Sequence, residues 1–479
     1  MNPRLFFLVL FALLVAARMC HIHILWEGDA YPLAAAGQML HGKALYRDIW
    51  FDKPPLLPAA CLLWGARAGW GLRLAGAVYG LLACWVVFGF ARRLWSEREG
   101  FWAAGLTGFF LIFDFPSAAI PVASDLLMLA PHVAAVWMAW ERRPFWSGVL
   151  AATAFWISPK GAFVAAACLL WNPAGALPMA AGFASVSGLA VAWLWAGGAL
   201  GPYWTEVWEW GRLYARSPFV EDPLRNGVVR TLGWMGFHAA AVVAAGWLVW
   251  KERRASLRWL GWLAISLAGV AAGFRFFPRY YSLLLPVVTL MAAHGLTLLG
   301  HKRDLVVLLL LIPATRFGPG YVAALTDAAW RDTAMDRDSR AAAALVRHLA
   351  RPGDTLFVWG YRPEVYVYTR LPAATMYLDS QPLTGVPADR HLAQSEPIEI
   401  EDAARRRELL AHSTPTFVLD GLGPYNPRLA ITRYPDLRDW LARYGEVGRT
   451  GGTIIYQTRV GQAISPASNH GQAKRPAPH

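Results

Sequence analysis

Residues 26–56 read WEGDAYPLAAAGQMLHGKALYRDIWFDKPPL and set Glu27, Asp29, Asp48, Asp52 and Lys53 in one stretch that follows an apolar segment. A carboxylate within hydrogen-bond reach draws the proton from an attacking hydroxyl, and a fixed cation steadies negative charge on a departing group. At a membrane surface such carboxylates are solvated, paired or working. A plain solvated loop accounts for their charge but not for their arrangement. Asp29 directly follows the end of the apolar segment, and Lys53 immediately precedes Pro54-Pro55, a rigid pair that re-enters the interface. Three other places hold unusual polar groups: Asp125 in VASDLLML, Lys160 in SPKG, and Arg275, Arg279 and Tyr280 in RFFPRYYSLLLP. Each has an ordinary role beside the chemical one. Ser124 or Asp125 would cap a helix, and basic residues near an interface snorkel toward lipid headgroups.

The elements that must position these residues follow from composition. Of 479 residues, 56% are hydrophobic and 16% charged, with 25 Trp; soluble domains carry roughly 25% charge. So much apolar surface needs lipid, because one core of this size cannot hide it. The net charge of +13 sits in short clusters between apolar segments, where basic residues orient a membrane protein, and this placement argues against nucleic acid. Cys20, Cys61, Cys84 and Cys168 lie in apolar surroundings without metal-ligand spacing and read as packing residues.

Eleven candidate spans run approximately over 4–24, 72–91, 101–117, 122–140, 145–157, 160–171, 177–199, 232–250, 256–273, 280–298 and 304–316. Arg4 ahead of Leu5 to Ala17 has the look of a signal peptide, but no small-residue cleavage site follows, so the first span is read as uncleaved. The fifth and sixth are short enough to form a re-entrant pair instead. With the N-terminus in the cytosol, Arg92, Arg93, Arg98, Arg142, Arg143, Lys251, Arg253, Arg254, Arg258, Lys302 and Arg303 all fall inside, provided residues 54–70 lie along the outer interface rather than crossing. The loop 25–71, residues 114–125, the loop 200–231 and the turn around Arg275 and Arg279 then lie outside. Positive charge is disfavoured there, so Arg275, Arg279 and Lys160 stand out from the snorkelling pattern.

A tail of about 160 residues follows the last span on the outer face. It has helical character over 333–349, 401–412 and 435–444 and strand character over 354–360, 416–420 and 453–458, which suggests an α/β layer. The expected division is a membrane domain over 1–320 with the outer loop 25–71, an α/β extracytoplasmic domain over 321–461, and a disordered end over 462–479.

These motifs, in this order, resemble the GT-C superfamily of integral membrane glycosyltransferases, in the bacterial branch related to protein O-mannosyltransferases and aminoarabinose transferases (glycosyltransferase family 39). The family's acidic residue after the first helix, Gly, Tyr-x-Asp and Lys-Pro-Pro are matched by Asp29, Gly42, Tyr46-Arg47-Asp48 and Lys53-Pro54-Pro55. Many relatives read Asp-Glu where this chain reads Gly28-Asp29, with Glu27 just before. Asp125 matches an acidic residue at the outer start of the fourth helix, and Arg279-Tyr280 stands where relatives often have His-Tyr. The resemblance implies an α-helical polytopic membrane protein with a small α/β extracytoplasmic domain, in the inner membrane of a bacterium with its active site away from the cytosol. It also implies a hexosyl- or pentosyltransferase that uses a polyprenyl-phosphate sugar and inverts the anomeric centre. On that reading Asp29, with Glu27 and Asp125, forms the acid-base group. Lys53, Arg275, Arg279 and Lys160 hold the donor phosphate, and Tyr46, Asp48 and Tyr280 support them. No cofactor is demanded, although two carboxylates suffice to begin a divalent cation site. The acceptor, whether protein, lipid or glycan, is left open. The competing classes are a secondary transporter or lipid flippase, expected to place ionisable groups at the midplane on broken helices, and a noncatalytic scaffold.

Overall fold

The computed structural model describes residues 2–216, 221–328, 330–386, 395 and 401–459; the end expected to be disordered, 462–479, lies outside them. The chain opens with α1 (Pro3–Met19), where the Asn2 side chain accepts the Arg4 backbone N–H at 2.9 Å and Pro3 occupies the first turn. Next come α2 (Glu27–Leu40), α3 (Leu56–Cys61), α4 (Trp70–Leu94), α5 (Glu97–Phe110) and a single turn, α6 (Pro116–Ala119). They are followed by α7 (Ser124–Trp140), α8 (Pro144–Ile157), α9 (Gly161–Trp171) and α10 (Ala176–Ala196). Further helices cover Pro223–Phe237, Ala239–Lys251, Leu257–Ala271, Leu285–Leu298 and Leu311–Leu325.

Among the described residues, three helices are long and apolar enough to cross a membrane: Trp70–Leu94, Pro173–Ala196 and Gly300–Leu325. Only 17% and 11% of the apolar windows of the last two are buried by protein, so lipid must cover the rest. The helices α8 and α9, of 14 and 11 residues, are short; at about 1.5 Å per residue neither reaches across a hydrocarbon core of about 30 Å.

Each of the eleven candidate spans falls on a helical segment, with two departures from the expected outline. The span read as 232–250 is two helices, Pro223–Phe237 and Ala239–Lys251, bent by 91°. At the bend the Trp234 carbonyl faces both the His238 backbone N–H at 2.9 Å and the His238 ring at 3.0 Å, so the side chain closes the first helix. The stretch 25–71, read as an outer loop, contains α2, whose pattern is interrupted by Gly28, Pro32 and Gly37.

Toward the C-terminus, the helix Ala334–Leu349 precedes a mixed sheet of β1 (Leu356–Trp359), β2 (Phe417–Asp420), β3 (Tyr444–Arg449) and β4 (Ile454–Thr458), in the order β1-β2-β4-β3. The pair β1/β2 is parallel, with Leu356 opposite Phe417, and the other pairs are antiparallel. Both parallel strands are wholly buried, which explains why LFVW and FVLD are continuous apolar runs. This layer docks directly on α2 and the loop after it. Gln38 accepts the Ala373 N–H at 2.7 Å and donates to the Leu371 carbonyl at 3.2 Å, the Trp50 N–H reaches the Met376 carbonyl at 2.8 Å, and Asp336 accepts the Leu25 N–H at 3.1 Å.

Candidate active site

The first turn of α2 carries two of the three acidic candidates, Glu27 and Asp29, and the helix points them in different directions. Glu27 remains about one-third exposed, with Oε1 3.7 Å from Nη1 of Arg279. Asp29 is fully buried. Its Oδ2 accepts from Nη1 of Arg73 at 2.9 Å, and its Oδ1 accepts the Val122 backbone N–H at 2.6 Å. Arg73 also donates to the carbonyls of His21 and Ile24, tying the end of α1 to the start of α2. Asp29, expected as the base, thus has both oxygens committed inside the protein. Gly28 explains the departure from Asp-Glu at this place: a Cβ there would sit 2.9 Å from the Pro121 Cβ and 3.0 Å from that of Ala123.

Arg279 comes from the 3-10 turn Pro278–Leu283. Burial opposes its charge, but Glu27, Tyr280 and Asp125 more than offset this and hold the guanidinium above its ordinary value. Asp125 lies in the first turn of α7, buried, and no side-chain cap bond forms there. It interacts instead with Arg279 and with Lys160. Lys160 sits in the turn between α8 and α9 with its ammonium 2.9 Å from the centroid of the Tyr280 ring. That ammonium is buried and has no hydrogen-bond partner among the described residues. Burial pulls it down to about 7, with Asp125 acting against the fall and Arg279 adding to it. Arg275 stands one layer back, stacked 3.6 Å from the Tyr214 ring and donating to the Tyr214 carbonyl at 3.0 Å.

A second group borders the first. Lys53 pairs with Asp52 at 2.7 Å and lies 5.7 Å over the Tyr31 ring, and the Tyr46 hydroxyl donates to the Lys53 carbonyl at 2.7 Å. Tyr31 and Tyr361 rings are 5.8 Å apart. Tyr361 joins the groups: burial pushes its hydroxyl well up, with Glu27 and Asp52 adding to the rise. Asp48, expected as a supporting residue, serves a local turn instead, because its carboxylate accepts the Ala44 N–H at 2.9 Å and pairs with Arg47 at 2.9 Å.

Four residues of this region escape a sequence reading: Arg73, Glu206, Tyr361 and Asp379. Arg73 is hidden in a span start, WGLRLAG, where a lone arginine is the signal. Glu206, buried in a π-helical turn, accepts the Phe51 N–H at 2.8 Å; a carboxylate inside YWTEVWEW marks it. Asp379, pushed up to about 7 by burial, comes from the C-terminal layer and has no local signature.

Glu27 and Asp125 face the cations Arg279 and Lys160, and among the described residues no three His, Cys, Asp or Glu side chains converge as ligands.

No protein-family model and no curated protein matches the sequence. Solved structures do match. ArnT from Cupriavidus metallidurans, bound to undecaprenyl phosphate, superposes with a TM-score of 0.62 over 94% of this chain and 97% of that one, at 15% identity. The chain shares the fold of this structure. The Archaeoglobus fulgidus oligosaccharyltransferase in complex with Zn and sulfate aligns with a TM-score of 0.52 at 13% identity, over 95% of this chain and 73% of that one. The same enzyme, AglB, with an inhibitory peptide and a dolichol-phosphate covers 96% and 75% at a TM-score of 0.50 and 13% identity. These likenesses run nearly the length of the chain, so they include the C-terminal layer that docks on α2.

Proposed function

We propose that this protein is a membrane glycosyltransferase that moves a sugar from a polyprenyl-phosphate carrier to an acceptor hydroxyl on the extracytosolic face. The observation that carries the reading is the meeting of Glu27 with Arg279, 3.7 Å apart, beside the ammonium of Lys160, which has no hydrogen-bond partner among the described residues. A buried ammonium that makes no hydrogen bond is costly unless an acceptor completes it. A lipid phosphate does so while its chain stays in the bilayer; ArnT is bound to undecaprenyl phosphate, and AglB is in complex with a dolichol-phosphate.

In this scheme Arg279 and Lys160 hold the phosphate, with Arg275 and Tyr280 fixing them from behind and Lys53 at the far edge. Glu27 takes the proton from the acceptor hydroxyl as its oxygen attacks the anomeric carbon. The anomeric carbon–oxygen bond to phosphate breaks with its electron pair going to phosphate, and the centre inverts. Asp125 keeps the two cations oriented, and Asp29 acts through structure rather than by touching substrate. The reading includes eleven crossings or near-crossings with the N-terminus inside, a membrane part over 1–320 and a C-terminal part over 321–461 that covers the site from outside.

The test is donor affinity. A purified Arg279→Glu variant should bind a polyprenyl-phosphate sugar at least about tenfold more weakly, since reversing a half-buried charge replaces attraction by repulsion. Unchanged affinity would show that the phosphate lies elsewhere.

A further inference from the structure

Three apolar grooves flank α1, and their mouths differ in charge. Two lie against α5, with volumes of about 430 and 540 Å³, and share Phe6, Gly105 and Phe109. One of these has no charged lining residue, and the other ends in Glu97 beside Arg98. The third lies between α1 and α4, about 570 Å³, with Phe7, Leu81, Leu82 and Trp85 in its wall and Arg4 and Arg92 as its only charged lining residues.

The two helices run antiparallel. Phe7 meets Phe88 at 5.3 Å between ring centroids, and Arg18 lies against Gly76, about three turns further along α4 toward its start. This pairing sets Arg4 level with the last turn of α4, so both guanidinium groups stand at one end of the groove. Neither forms an ion pair among the described residues: Glu141, the nearby carboxylate, is taken by Arg93 and Arg143, both at 3.4 Å. Trp85 is 57% exposed, which leaves an aromatic wall open toward lipid.

We infer that this groove is a binding site for an anionic glycerophospholipid, with Arg4 and Arg92 on the headgroup phosphate and an acyl chain along Phe7, Leu82 and Trp85. Two unpaired cations at the mouth of an apolar groove match a ligand that is anionic at one end and hydrocarbon at the other. The site lies at the end of the bundle away from Glu27 and does not depend on the proposed transfer reaction.

Native mass spectrometry of the full-length protein, titrated with phosphatidylglycerol and with phosphatidylcholine of the same chains, tests it. The wild type should retain phosphatidylglycerol preferentially. Each of Arg4→Gln and Arg92→Gln should lower that retention about fivefold, the scale of one basic residue near an anionic leaflet, while Arg98→Gln in the neighbouring groove leaves it unchanged. Absence of the preference in the wild type, or its survival in the Arg4→Gln/Arg92→Gln double variant, overturns the inference.

Discussion

Glu27 and Asp29 lie two residues apart, which on a helix turns their side chains about 200° from each other. Only one of them can face the cleft, and the buried pair with Arg73 decides which. Replacing Asp29 by Asn should therefore destabilise the fold, by about 3–5 kcal/mol for a buried pair that loses one partner. Chemical unfolding in detergent measures this, and a variant as stable as wild type would mean the pair holds nothing. The candidate residues were legible because carboxylates and cations beside apolar runs need a reason. Their directions were not, because Gly28 and Pro32 hid the helix that orients them. Lys160 gives a second expectation. Its ammonium, brought down to about 7 by burial, is charged below that pH and neutral above it. Affinity for a polyprenyl-phosphate sugar, a diester whose charge is constant, should fall as pH rises through 7. In Lys160→Met the fall should shrink to what Asp379, brought up to about 7, contributes; a pH dependence undiminished there would remove Lys160 from the phosphate site.

At the scale of elements, the continuous apolar runs made the helices readable, since length and apolarity are local properties. Packing between helices was not readable, because it depends on which faces meet. Gly148 of α8 and Gly182 of α10 show this. A Cβ on Gly148 would lie 1.9 Å from the Met179 carbonyl oxygen, and one on Gly182 would lie 2.0 Å from that of Phe145. The two backbones touch reciprocally, as small residues allow between membrane helices. Gly148→Ala should lower thermal stability, at a cost of about 1–3 kcal/mol for overpacking. Gly188→Ala, where a Cβ meets nothing within 4 Å, should be neutral or slightly stabilising. Equal behaviour of the two variants would mean that α8 and α10 do not pack through these glycines. The bend at His238 and the strand β3, with its YGEVGR sequence, escaped for the same reason: a side-chain bond in one and a pairing partner in the other supply what local pattern lacks.

Across the whole molecule, the C-terminal layer lies against α2 through Gln38, Trp50 and Leu25, and contributes Tyr361 and Asp379 to the site. The order of basic clusters reads loop 25–71 and the tail onto one face, and the two are in contact through Gln38 and Trp50. That Tyr361 would feel the charges of both Glu27 and Asp52 depended on the three-dimensional fold and was beyond any pattern in the chain. The central claim is that Glu27 and Arg279 work on one lipid-linked sugar. It is tested most directly by the release of polyprenyl phosphate from a polyprenyl-phosphate sugar, with purified protein in nanodiscs and membrane extract supplying acceptors. The wild type should turn the donor over, and Glu27→Gln should do so at least about 100-fold more slowly, the lower range for losing a general base. Turnover by Glu27→Gln equal to wild type, or none by the wild type, contradicts the account.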